Sequence, residues 1–150
     1  MFSGEYDFFL NQGNFVPDTL RGVSIYPGDN HYTFAVTPYI TISDVNIVQT
    51  SASGITATFY LKQNTSDKIS KIGIFAHRES AVGYGIKYDE WQISIDNDVP
   101  EDYQMTISMD LNNVADEIRR GYPYYFRVGA LSSAPAAKYN YAPAVRLVLW

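Results

Sequence analysis

The stretch Ile118-Arg119-Arg120-Gly121-Tyr122-Pro123-Tyr124-Tyr125-Phe126-Arg127-Val128-Gly129-Ala130 decides the fold. Gly121 and Pro123 mark a turn. Behind it Tyr124, Phe126 and Val128 alternate with Tyr125 and Arg127, the two-residue period of a strand that buries one face. A Gly-centred turn feeding such an aromatic strand reads as one corner of a β-sandwich. Sandwiches carry binding, spacing and catalytic roles alike, so function has to be argued from a site.

Strand signals recur at near-regular intervals on both sides of this corner, over residues 42–49, 55–62, 69–77, 91–95, 105–111, 124–130 and 143–149. Seven strands fit an all-β, immunoglobulin-like sandwich. In the second of them Ile55, Ala57, Phe59 and Leu61 share one face, and Thr56, Thr58, Tyr60 and Lys62 the other. The same period turns Ile72, Ile74 and Ala76 inward, then Met105, Ile107 and Met109, then Val145, Leu147 and Leu149. Residues 113–120 have room for one helical turn, with Asn112 or Asn113 as its cap and Gly121 as its stop.

Before Thr37-Pro38-Tyr39 the pattern changes, which sets a boundary between residues 1–39 and 40–150. The first part offers three short strands, 6–10, 23–26 and 32–36. The turn Pro27-Gly28-Asp29-Asn30 joins the last two as a hairpin. Three strands are too few to cover both faces, so their edges invite pairing with another chain.

The 150 residues are 46% hydrophobic, with 13 Tyr and 8 Phe, ample for a core rich in aromatic contact area. A formal charge of −5 and the lack of a basic stripe argue against a nucleic-acid partner. Zero Cys excludes disulfides and thiolate metal sites and leaves the compartment open. Residues 1–5 have neither a basic nor an apolar signal region, and no run nears the ~20 apolar residues of a membrane span, so the chain as given reads as soluble.

Catalytic motifs are missing. His31 and His77 are the only imidazoles, and neither has the adjacent nucleophile and orienting group of a triad. His77, beside Arg78 and Glu79, reads as a solvated strand-end residue. Gly83-Tyr84-Gly85 lacks the third glycine of a dinucleotide loop. The carboxylates of Asp96, Asp98, Glu101 and Asp102 have the hard oxygens that Ca²⁺ favours, but the spacing and the missing Gly exclude an EF-hand loop and leave an acidic solvated turn. No cofactor or metal is expected.

Binding has better material. Tyr84, Tyr88 and Trp91 cluster in and after a Gly-containing connection, where exposed rings can pack against the C–H faces of sugars while Lys87, Asp89 and Glu90 bond hydroxyls. Trp91 begins an alternation with Ile93 and Ile95, which favours a core position and leaves Tyr84 and Tyr88 as the freer rings. A second constellation is Phe75, His77, Tyr125, Arg127 and Arg146, which the strand period puts on one outer face as an exposed aromatic and arginine patch. Its duller reading is a cross-strand pair of Phe75 with Tyr125. The connection 132–142, with Tyr139 and Tyr141, is a third contact loop or simply turn packing.

Residues 111–130 resemble the corner of fibronectin type III domains, with Tyr124 matching the corner tyrosine whose hydroxyl satisfies backbone groups at the crossover. The whole chain resembles a family of two-domain surface lipoproteins from Bacteroidetes. The carrying segments are Phe2-Ser3-Gly4-Glu5-Tyr6, Gly13-Asn14-Phe15-Val16-Pro17, Phe34-Ala35-Val36-Thr37-Pro38-Tyr39, Ile69-Ser70-Lys71-Ile72-Gly73-Ile74-Phe75, Tyr125-Phe126-Arg127-Val128-Gly129-Ala130 and Lys138-Tyr139-Asn140-Tyr141. The resemblance implies that residues 1–39 are the closing strands of a transthyretin-like domain whose first strands, export signal and lipid-anchoring Cys lie upstream. Residues 40–150 would be a fibronectin-III-like sandwich. It further implies a non-catalytic accessory at the outer membrane, helping polysaccharide binding or uptake beside glycan-uptake proteins. The alternative is an assembly module that spaces another domain, with self-association through residues 1–39.

Overall fold

Alternation in the sequence becomes pairing in the structure, a computed structural model that describes residues 2–114 and 116–150, the side chains of Asn113 and Val114 excepted. The chain forms two compact units, Met1–Pro38 and Tyr39–Trp150.

In the first unit β1 (Gly4–Leu10) and β2 (Asp18–Ile25) form an antiparallel pair running from Gly4 opposite Ile25 to Leu10 opposite Asp18. The register shifts between Tyr6 and Phe8, and there the Asp7 carboxylate accepts the Gly22 N–H at 2.9 Å, with Gly22 at a φ of 65°. The strand expected over 32–36 is not formed, nor is its hairpin. Asn30 explains why. Its side chain accepts the Tyr26 N–H at 3.1 Å and donates to the Tyr26 carbonyl at 2.8 Å, taking up the groups a ladder would have used. The segment is held by side chains instead. The Tyr32 hydroxyl donates to the Ser24 carbonyl, and the Phe34 ring lies 5.6 Å from Phe8 and 6.3 Å from Tyr32.

The second unit contains β3 (Ile40–Gln49), β4 (Gly54–Gln63), β5 (Ile69–His77), β6 (Asp89–Asn97), β7 (Tyr103–Asp110), β8 (Pro123–Ser132), β9 (Tyr139–Tyr141) and β10 (Val145–Val148). One sheet has the order β3-β4-β7; the other has β10-β8-β5-β6, with β9 also on β8, and every pair is antiparallel. This is an immunoglobulin-like sandwich. All seven strands read from the sequence are present, and β9 is an eighth, inside what the sequence presents as a connection.

The core lies between the sheets. Ile55, Ala57, Phe59 and Leu61 face Ile72, Ile74, Ala76, Phe126 and Val128, all with no exposed surface. Met105, Val145 and Leu147, inward by period, are half-buried at the margin. Complete burial of a Phe or Leu side chain contributes roughly 1.5–3 kcal/mol.

Beyond β7 a 3-10 turn covers Leu111–Val114. Its cap is Asp110, whose carboxylate accepts the Asn112 N–H at 3.0 Å, and not Asn112 or Asn113. Ala115, within the helical turn expected over 113–120, lies outside the described residues. Gly121 adopts a φ of 81° and donates its N–H to the Leu149 carbonyl at 2.7 Å, which ties the corner to the last strand's end.

Tyr124 closes this corner. Its ring is fully buried, and its hydroxyl accepts the Arg119 N–H at 2.7 Å while donating to the Glu117 carbonyl at 3.2 Å. Tyr124→Phe strands both backbone groups and is expected to cost about 1–3 kcal/mol, a fall of several degrees in thermal unfolding followed by circular dichroism. Tyr122→Phe, on a 55% exposed ring, should leave the transition where it is.

Candidate functional site

Two glycines prepare the outer face of the larger sheet. Gly73 on β5 pairs with Gly129 on β8. A Cβ at Gly129 would stand 2.8 Å from the Tyr141 ring and 3.0 Å from Tyr139; one at Gly73 would stand 2.9 Å from Phe75. Bare backbone at these positions lets large rings approach the sheet, a common reason for glycine inside a strand.

Over this floor lies an aromatic stack. β9 brings Tyr139 and Tyr141 together at 5.8 Å between ring centres, and Tyr84 stacks on Tyr139 at 5.6 Å with 23° between planes. Phe75 meets Tyr139 and Tyr141 edge-on at 5.3 and 6.0 Å. The Tyr84 N–H donates to the Tyr141 hydroxyl at 2.8 Å, which fixes the loop carrying Tyr84. Arg127 stacks on Tyr141 at 4.6 Å and donates to the carbonyls of Ala142 at 2.6 Å and Val82 at 3.3 Å. Only Tyr84, 55% exposed, presents a large ring surface to solvent; Tyr139 is 8% exposed.

A polar chain runs beside the rings. Lys87 Nζ sits 4.2 Å from the centre of the Tyr84 ring, donates to the Tyr84 carbonyl at 2.6 Å and pairs with Glu90 at 3.2 Å. Glu90 accepts from the Gln92 side-chain amide at 2.6 Å, and Gln92 accepts from the Tyr139 hydroxyl at 2.5 Å. Burial, reinforced by the Glu90 charge, pushes the Tyr139 phenol up to about 12.

The structure redistributes the residues singled out from the sequence. Tyr84 heads the stack. Tyr88 is not free: it packs against the main core, and its ring lies 4.3 Å from His77. His77 Nδ1 accepts the Glu79 N–H at 3.0 Å, so the imidazole closes a turn. Trp91, read as core, is 51% exposed although it pairs with Ile74 on the inward row, because β6 is the sheet's edge strand. Tyr84, Tyr88 and Trp91 therefore form no common platform.

The open patch of Phe75, His77, Tyr125, Arg127 and Arg146 is likewise closed over. Register does place Phe75 opposite Arg127 and Tyr125 opposite both His77 and Arg146. Phe75, however, has no exposed surface and nucleates a second small core with Val82 and Tyr139, against which Tyr125 packs. Arg146 alone is exposed. The cause is β9, which pairs with β8 along the same edge as β10 and turns Tyr139 and Tyr141 over the outer face against Phe75. Tyr139, Tyr141 and Gln92 were not singled out as one site by the sequence; the outward-facing glycines Gly73 and Gly129 were the available signal.

Among the described residues no three His, Asp or Glu side chains gather closely enough to hold a metal ion, and Asp98 of the acidic turn accepts from Gln63 at 3.1 Å. No helix among the described residues is long and apolar enough to cross a membrane.

The chain is thus an antiparallel β-sandwich with an aromatic stack on the outer face of its larger sheet. Residues 40–146 match the family model described as a domain of unknown function, DUF3823_C, and the chain belongs to that family. A crystal structure from Bacteroides uniformis, described as a "putative carbohydrate binding protein", is 32% identical at a TM-score of 0.79, over 99% of this chain and 75% of that one. DUF3823 family proteins from Bacteroides ovatus and Parabacteroides merdae share the fold. They are 20% and 21% identical with TM-scores of 0.74 and 0.69, over 100% and 98% of this chain and 76% and 72% of theirs. No functionally curated protein matches.

The raised Tyr139 phenol has a consequence in alkali. In the unfolded chain it ionises near pH 10 and in the folded one near 12, so the stability linked to it is complete below about pH 10 and lost as pH rises toward 12. Denaturant unfolding across this range should show that loss in the wild type and a smaller one in Tyr139→Phe. Equal slopes would place Tyr139 outside the closed stack.

Proposed function

We propose that this chain is a non-catalytic glycan-binding module, with the Tyr84–Tyr139–Tyr141 stack as its platform. The observation that carries the reading is the state of Tyr84. Its ring is half exposed yet held by Tyr139, Tyr141 and Lys87, so its orientation needs no further ordering on binding. A pyranose laid on it would find the Lys87 ammonium and the Glu90 carboxylate within the same polar rim, a donor and an acceptor for neighbouring hydroxyls. The likeness to the Bacteroides uniformis protein supports the same ligand class.

In this reading the module belongs to a surface lipoprotein at the outer membrane that assists polysaccharide uptake. Residues 40–150 form a fibronectin-III-like domain, and residues 1–39 belong to a transthyretin-like one. The strand order and the Tyr124 corner support the first assignment.

A second reading, an assembly module, is favoured by one observation. The first unit exposes Phe2, Phe9 and Tyr26 at 90, 63 and 66%, on or near a two-stranded sheet with unpaired edges. Self-association through residues 1–39 follows from it. A monodisperse monomer in light scattering at high concentration would count against it.

The test of the main reading is retention of the chain on immobilised plant, host and microbial polysaccharides. At least one should retain it, in roughly the millimolar to micromolar range. Tyr84→Ala should then weaken binding by roughly threefold to tenfold with its unfolding transition unchanged. A folded wild-type chain that binds nothing in the panel would overturn the glycan reading.

A further inference from the structure

The edge of the sandwich carries a second arrangement, on the opposite face of β6 from Glu90 and Gln92. Trp91 overhangs a shallow cleft of about 360 Å³ that it shares with Ser51, Ser53, Ser108 and Asp110. We infer that this cleft is a second glycosyl subsite, selective for a neutral sugar. The inference rests on the glycan reading of the aromatic stack and extends it to a separate site.

Three polar groups of the cleft are held by one partner and keep further hydrogen-bonding capacity. Ser53 Oγ accepts from the Asn112 side-chain amide at 3.1 Å, which leaves its own proton to donate. Ser108 Oγ shares a hydrogen bond of 3.0 Å with Thr56 and keeps further acceptor capacity. Asp110 Oδ1 accepts the Asn112 N–H, which pins the carboxylate, while Oδ2 has no partner among the described residues. Gly54 keeps the rim tight: a Cβ there would stand 2.6 Å from Ser51 Oγ.

This chemistry suits a pyranose. The half-exposed indole offers a face for C–H groups, and the serines and the carboxylate offer a donor and acceptors for hydroxyls. Met109, 2% exposed, is the only other large apolar side chain lining the cleft among the described residues, so an apolar peptide segment would find little to bury. Among the described residues no cationic side chain lines it, and Asp110 repels a second carboxylate. A uronic acid is therefore disfavoured relative to a neutral sugar.

The chain has two tryptophans, Trp91 and Trp150, so Trp150→Phe makes Trp91 the sole indole reporter. That variant is titrated with neutral oligosaccharides cut from a polysaccharide that retains the wild type, and with oligogalacturonate. The expected result is a saturable change in Trp91 emission with the neutral series only. It should persist when Tyr84→Ala is added and weaken about tenfold with Asp110→Asn, whose side chain lies outside the core. Trp91→Ala is checked for its unfolding transition before its binding is compared. If Trp91→Ala and Asp110→Asn bind as the wild type does while Tyr84→Ala does not, the second subsite is wrong and the stack reading stands. If no oligosaccharide binds any variant, both are wrong. Trp91 emission that follows protein concentration instead of sugar would make the cleft a contact between copies of this chain.

Discussion

The outer face of the larger sheet depends on the absence of two side chains. Gly73 and Gly129 sit opposite one another at the middle of β5 and β8, and the rings of Phe75, Tyr139 and Tyr141 occupy the space a Cβ would need. A side chain at Gly129 would press on the Tyr139 and Tyr141 rings, on which Tyr84 stacks, and one at Gly73 would press on Phe75 and Gln92. Overpacking of this kind costs typically 1–3 kcal/mol, about the scale of one or two of the ring pairs it would disrupt. The main core makes the sandwich; this constraint gives one of its faces an ordered aromatic stack.

Everything attached to that face is held twice. The Tyr84 loop is held by the Tyr141 hydroxyl and by Arg127 through the Val82 carbonyl; β9 is held by its pairing with β8 and by the bond from Tyr139 to Gln92. Such double attachment is what a weak-binding surface needs, because a ring already fixed loses little freedom when a ligand covers it. The Trp91 cleft is built differently. It exists because β6 is an edge, where an inward-row residue finds no complete opposing sheet and remains half exposed.

The architecture was legible because period-two patterning is a local property. Ile55 through Leu61 and Tyr124 through Val128 bury the set the pattern names, and Ile72, Ile74 and Ala76 are buried as their period requires, with Phe75 buried on the other face as well. The site was legible only in part. Tyr84 stood out through its glycine-flanked loop, whereas the closure of Phe75 depends on a three-residue strand more than sixty positions away. Period alone put Phe75 outward; it could not say that β9 would cover it. Trp91 failed for the reciprocal reason, since alternation predicts direction and not whether a partner sheet extends far enough to bury what points inward. In the first unit the side chain of Asn30 competed with the backbone ladder for Tyr26, a contest propensity cannot decide.

On the proposed reading, the face over Gly73 and Gly129 meets a glycan through Tyr84. The most direct measurement is a chemical-shift map of the aromatic and side-chain amide signals during titration with soluble plant, host and microbial oligosaccharides. Saturable shifts should move the Tyr84 ring and the Gln92 amide together, at one affinity. Shifts confined to residues 1–38, or none with any oligosaccharide, would contradict it.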